Sequence, residues 1–132
     1  MRHRAHSVEV RTVFADLRNN AQGLVAGTKI RTNEGLRRDV WLMKDGSASG
    51  SKVMLMTPRG KTVACSGLSR NIDWAGDRAT VTAPRSCLSA PRWVQVVNAA
   101  GNYATEGMRS YVDVAGKAGY RFSGWSEKVR RG

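Results

Sequence analysis

The sequence has few cysteines, histidines and acidic residues, and each shortage excludes a class of site. It contains two cysteines and two histidines among 132 residues. Cys65 and Cys87 are too far apart in sequence for a zinc knuckle, and His3 and His6 lie in the basic N-terminus. The ten acidic residues are scattered, without a calcium-loop pattern or a convergent pair for glycoside hydrolysis. We therefore predict no metal and no cofactor.

The chain also lacks long apolar runs. No stretch approaches the roughly 18 residues needed to span a bilayer, so we predict no transmembrane segment. The basic residues 1–6 are followed by Ser-Val-Glu-Val, where a secretory signal would have an uninterrupted apolar region. We expect residues 1–6 to be a disordered or truncated N-terminus.

Catalytic motifs are missing as well. There is no G-x-S-x-G elbow, and a Gly/Ser-rich stretch at residues 46–52 has the wrong spacing for a phosphate-binding loop. Cys87 follows Pro84-Arg85-Ser86 and could be a reactive thiol, but a structural disulfide explains it better. The prediction is that the protein is not an enzyme.

Positive charge is abundant. Lys and Arg number 22 against 10 Asp and Glu, which gives a formal net charge of +12. A charge of this size favours an anionic partner: nucleic acid, an acidic wall polymer or an anionic membrane surface. A compositional origin is the alternative, because the charges are dispersed and no block of five basic residues occurs.

Short apolar runs with a period of two, separated by turn residues, predict strands. About eight strands are expected, with one helical turn at residues 85–89. A Gly- and Asn-rich loop is expected at residues 99–107, and residues 117–132 form an irregular tail. This pattern is typical of a single all-β domain over residues 1–132, an antiparallel β-sandwich. The predicted strands are residues 7–17, 23–32, 39–44, 52–57, 61–65, 78–83, 92–98 and 110–114.

The two cysteines allow one disulfide. Closing the loop between Cys65 and Cys87 would stabilise the fold by about 3 kcal/mol in the chain-entropy model. An exported protein would keep this bond and a cytosolic one would not. We expect a disulfide and an extracellular or cell-envelope location.

Tryptophans and arginines are the candidate ligand-binding residues. Four tryptophans are many for this length. Trp74 and Trp125 lie in polar surroundings and are expected to be exposed, whereas Trp41 and Trp93 lie in apolar strands. Exposed aromatic rings stack on sugars or bases, and arginines can contribute a cationic rim. The candidates are Trp74, Trp125, Arg85 and Arg92, with packing or a solvated rim as the alternative role.

Three motifs carry a resemblance to a known group of proteins. They are V-x-C-x-G-L at residues 63–68, PRSCL at 84–88 and PRWV at 91–94, between an early FADL and a late FSGW. The chain resembles small exported β-sandwich proteins of actinobacteria over residues 8–125. This resemblance implies export and a Cys65–Cys87 bridge, and it implies no catalytic residues. Such proteins carry an export signal and a further strand-like segment before Ser7, which this sequence does not show in full.

Three functions fit these observations. The first is a non-enzymatic exported binding or surface module for an anionic or carbohydrate polymer of the cell envelope. The second is a nucleic-acid-binding protein, with an affinity that falls steeply with salt. The third is a virion or assembly component whose sheet edges pair between copies.

Overall fold

Ten strands and one 3₁₀ turn make up the regular structure of the described residues. The computed structural model describes residues 1–14, 17, 23–44, 50–103, 110–114 and 124–132. The strands are β1 (Arg2–His3), β2 (Ser7–Val13), β3 (Gly23–Thr32), β4 (Arg37–Lys44), β5 (Ser51–Met56), β6 (Ser69–Asp73), β7 (Arg78–Pro84), β8 (Trp93–Tyr103), β9 (Ser110–Val114) and β10 (Val129–Arg130), with the 3₁₀ turn η1 at Arg85–Leu88.

The strands form two antiparallel sheets. The four-stranded sheet has the order β1-β2-β7-β6. The six-stranded sheet has the order β10-β8-β3-β4-β5, with β9 also paired to β8. β8 pairs with β3 along ten residues, while its other edge is shared between β10 at one end and β9 at the other. The predicted all-β antiparallel sandwich is confirmed.

Alternation along the strands places the core between the two sheets. Val8 and Val10 of β2 are buried on the inner face of the four-stranded sheet. Ile30 of β3 and Leu42 of β4 meet them from the other sheet, at 1% and 0% exposure. Successive strand side chains point to opposite faces, so this set forms one apolar layer. Burial of each large side chain contributes roughly 1.5–3 kcal/mol.

A polar bridge crosses the same interface. The Asn98 side-chain amide of β8 donates to Thr12 Oγ1 of β2 at 2.7 Å. The Thr28 hydroxyl of β3 donates to Asn98 Oδ1 at 3.2 Å. Because a buried polar group without a partner is costly, this chain of bonds fixes how the sheets are placed relative to each other.

The predicted disulfide is present. Cys65, in the connection after β5, is bonded to Cys87 of η1, with the two Cα atoms 5.6 Å apart. No other cysteine exists in the chain. The bridge ties the connection between β5 and β6 to the turn that follows β7.

Four details differ from the sequence-based expectations. The strand predicted at 61–65 is reduced to one bridge between Met56 and Thr62, and a strand lies instead at β6. β8 continues to Tyr103, where a loop was expected from residue 99. Residues 2–3 form β1 within the N-terminus that was expected to be disordered or truncated, and β10 lies in the described part of the tail, residues 124–132. Two-residue strands have no periodicity to detect; they form because a longer strand lies beside them.

Within the described residues, no helix has the length and apolar character that crossing a bilayer requires.

Candidate functional site

A basic pocket lies where the starts of β8 and η1 meet β10 and the turn after β3. Its volume is about 690 Å³. Four of its seven lining residues are arginines, and none is acidic. We call this site the arginine pocket; it is lined by Asn33, Arg85, Ala90, Arg92, Trp93, Arg130 and Arg131.

Arg85 is held in place by backbone carbonyl groups. Its Nη1 donates to the Ala5 carbonyl at 2.8 Å. Its Nη2 donates to the carbonyls of Ala90 and Pro91 at 2.9 and 2.7 Å. The Nε–H is buried and has no hydrogen-bond partner among the described residues. These acceptors are neutral, so the guanidinium is fixed in position while its positive charge is not neutralised.

Strand pairing supplies the other arginines. The Arg131 amide donates to the Arg92 carbonyl at 3.1 Å, and Arg130 is the direct partner of Trp93. All three arginine side chains are exposed. Asn33 Oδ1 accepts a hydrogen bond from the Arg92 amide at 2.7 Å and so fixes the start of β8. The pairing of β8 with β10 thus brings together residues that are far apart in the chain.

His3 is a buried neighbour of this site. Its Nδ1 lies 3.2 Å from the Val129 carbonyl, which can only accept, so Nδ1 carries a proton. Burial lowers the pKa of His3; the bond to Val129 opposes this, and the charges of Arg85 and Arg131 add to the lowering. At neutral pH the imidazole is therefore uncharged, and the arginines supply the pocket's positive charge.

Among the described residues, no carboxylate lines the pocket. Arg4 pairs with Glu9 at 3.2 Å, and Arg78 pairs with Asp73 at 2.6 Å. None of these four residues lines the pocket. The arginine pocket is therefore a concentration of cationic side chains, open to an acceptor from outside the described chain.

The structure separates the four candidate residues that the sequence suggested. Arg85 and Arg92 line one pocket. Trp74 is half-buried with Lys44 Nζ 5.8 Å from its ring centre, and Trp125 is half-buried with Arg31 Cζ 4.4 Å from its ring centre. One face of each of these rings thus contacts a cation of the protein itself.

No protein-family model matches the chain, and no curated protein is significantly similar to it. The resemblance to exported actinobacterial β-sandwich proteins therefore stays a prediction.

Four pocket residues, Asn33, Ala90, Arg130 and Arg131, were not predicted, and a fifth, Trp93, was assigned to the core. Asn33, Arg130 and Arg131 carry no motif in the sequence, because only the register of β8 with β10 and the turn after β3 place them here. Trp93 was expected in the core but is half-buried and lines the pocket, with Lys128 Nζ 4.8 Å from its ring centre. Strand alternation was the signal that could have placed Trp93 correctly. Neighbouring strand residues face opposite sides of the sheet, so Trp93 lies on the outer face because Val94 is buried on the inner one.

Two aspartates accept hydrogen bonds from backbone amides. Asp73 Oδ1 accepts from the Gly76 amide at 2.9 Å, and Asp77 Oδ1 accepts from the Leu17 amide at 2.7 Å. Across the part of the chain that the structure describes, no group of three His, Cys, Asp or Glu residues is placed to hold a metal ion.

Proposed function

We propose that the protein is a non-enzymatic, exported binding module that holds an anionic polymer of the cell envelope at the arginine pocket. The observation that carries this proposal is the meeting of four guanidinium groups without a carboxylate among the described residues.

Arginine suits this role because its planar donor group matches the oxygens of phosphate and carboxylate. Closely spaced cations repel each other. An anion placed between them is attracted to each cation and so lowers the electrostatic energy of the group. A volume of about 690 Å³ is larger than one phosphate group requires, so a polymer repeat can enter with its charged group.

Two further observations favour a wall polymer over nucleic acid. The Cys65–Cys87 disulfide suits an oxidising compartment outside the cytosol. Single-stranded nucleic acid is bound largely by stacking of bases on open aromatic rings. Cations of the protein already occupy one face of Trp74, Trp93 and Trp125. The same argument favours a charged polymer over a neutral carbohydrate.

The test is calorimetric titration with purified poly(glycerol phosphate) teichoic acid, with a neutral glucan as the comparison. Arg92→Gln/Arg131→Gln removes two exposed pocket charges. Arg11→Gln/Arg59→Gln removes two exposed charges that do not line the pocket, and is the matched control. We expect the pocket variant to lose at least about tenfold in affinity and the control less than about twofold.

Equal losses in the two variants would show that net charge alone drives binding. Retention of the neutral glucan with the same affinity would show that charge is not what the site recognises. Either result contradicts the proposal.

A further inference from the structure

We propose that the arginine pocket is one end of a longer binding track, whose second subsite is the Arg31–Arg37 pair on the outer face of the six-stranded sheet. The ligand would then be a linear phosphodiester polymer with several charges bound at once. This inference rests on the proposed function and specifies its ligand.

Arg31 of β3 and Arg37 of β4 are direct cross-strand partners. Side chains of such partners project from the same face about 4.5–5.5 Å apart at Cβ, and like charges in this arrangement destabilise a sheet. No carboxylate ion pair involves either residue in the described chain. An anion bound between them would relieve the repulsion.

The second subsite lies next to the pocket through β8. Gln95 is the partner of Arg31 on β8, and Trp93, two residues earlier on the same face, lines the pocket beside Arg130. Residues two apart in a strand are separated by about 7 Å. Arg31 lies two strands from Arg130 in the order β10-β8-β3 and two residues further along, so their backbones are about 12 Å apart. This separation is too long for two neighbouring phosphates of a glycerol phosphate chain, and a longer chain spans it.

Arg31 is also held in a fixed orientation. Its Cζ lies 4.4 Å from the Trp125 ring centre, and its Nε donates to Gln95 Oε1 at 3.0 Å. The Gln95 amide in turn donates to the Ser126 carbonyl at 2.7 Å. Among the described residues, the terminal amino groups of Arg31 have no hydrogen-bond partner, while these contacts restrict the side chain. The restriction lowers the entropy cost of binding.

The experiment compares two chain lengths. Poly(glycerol phosphate) with two phosphates can fill the pocket alone, whereas a chain with ten phosphates reaches both subsites. Arg37→Gln removes an exposed charge of the second subsite, and Arg11→Gln is the matched control on β2. We expect Arg37→Gln to weaken binding of the long chain about fivefold, with no change for the short chain and no change for either chain in Arg11→Gln.

The unliganded Arg37→Gln protein should melt at the same temperature as the wild type or higher, because the substitution removes a like-charge pair. A lower melting temperature would contradict the repulsion on which the second subsite depends.

The outcomes separate this inference from the proposed function. If Arg92→Gln/Arg131→Gln abolishes binding but Arg37→Gln affects neither chain, binding at the arginine pocket is supported and the second subsite is contradicted. If neither variant matters, both are wrong. If single-stranded DNA with ten phosphates binds as tightly and with the same dependence on Arg37, the assignment of an envelope polymer is overturned.

Discussion

At the scale of single residues, two aspartates experience opposite environments. Hydrogen bonds from Arg78 and the Gly76 amide lower the pKa of Asp73 from 3.8. Burial raises the pKa of Asp39 from 3.8, and the charge of Lys29 partly opposes this. A lowered carboxyl pKa stabilises the folded state above the unfolded value, and this stability is lost as pH falls through the folded value. A raised pKa has the reverse effect.

We therefore expect Asp73→Asn to reduce the free energy of unfolding at pH 7 and to have little effect below the folded pKa of Asp73. Asp39→Asn should instead increase the free energy of unfolding at pH 7, because it removes a partly desolvated charge. Urea unfolding at a series of pH values from 7 to 2.5 measures both differences. Equal effects of Asp73→Asn at both ends of this range would contradict the assignment.

Residue types alone identified two of the seven residues that line the arginine pocket. Arg85 and Arg92 stand beside prolines in a turn, where a cationic rim could be expected from the sequence. Exposure of Trp74 and Trp125 was a poorer inference from polar neighbours, because a long cationic side chain from another strand covers part of each ring. Such contacts depend on register between strands, which local composition does not determine.

At the scale of elements, η1 connects the disulfide to the pocket. Arg85 is the first residue of η1 and Cys87 the third. The bridge therefore restrains the same turn that presents the guanidinium held by the carbonyls of Ala90 and Pro91. Structural stability and the position of one pocket cation depend on one covalent link.

We expect Cys65→Ser/Cys87→Ser to lower the free energy of unfolding by about 3 kcal/mol, because the cross-link closes a loop with a sequence separation of 22. Guanidinium unfolding monitored by tryptophan fluorescence measures this change. The wild type under reducing agent should unfold like the double variant. An unchanged midpoint in both would contradict a stabilising bridge.

Long elements were predictable and short ones were not. The alternating valines of β2 and the apolar runs of β4 and β5 predicted strands that the structure confirms. β6, with the sequence Ser-Arg-Asn-Ile-Asp, has an exposed start and few apolar anchors, so its pairing with β7 determines it. The pocket depends on β10, which is two residues long and exists because β8 lies beside it.

At the scale of the whole molecule, a net charge of +12 destabilises the folded state. Like charges on a compact body repel one another, and this repulsion is relieved in the expanded chain. Salt screens the repulsion, with a Debye length that shortens from about 30 Å at 0.01 M to about 10 Å at 0.1 M. The protein should therefore respond to salt in two ways, through general screening and through anions bound in the pocket.

We expect sodium chloride to raise the melting temperature between 10 and 200 mM, and sulfate at equal ionic strength to raise it further. Screening does not depend on where the charges lie, whereas binding in the pocket requires Arg92 and Arg131. The variants Arg92→Gln/Arg131→Gln and Arg11→Gln/Arg59→Gln each remove two charges from +12 and so have the same net charge of +10. Scanning calorimetry should show the same chloride response in both, but additional stabilisation by sulfate only in Arg11→Gln/Arg59→Gln. Retention of that additional stabilisation in both variants would mean that sulfate acts through solvent exclusion, and its loss in both would mean that sulfate acts through net charge. Either result would contradict binding of sulfate in the arginine pocket.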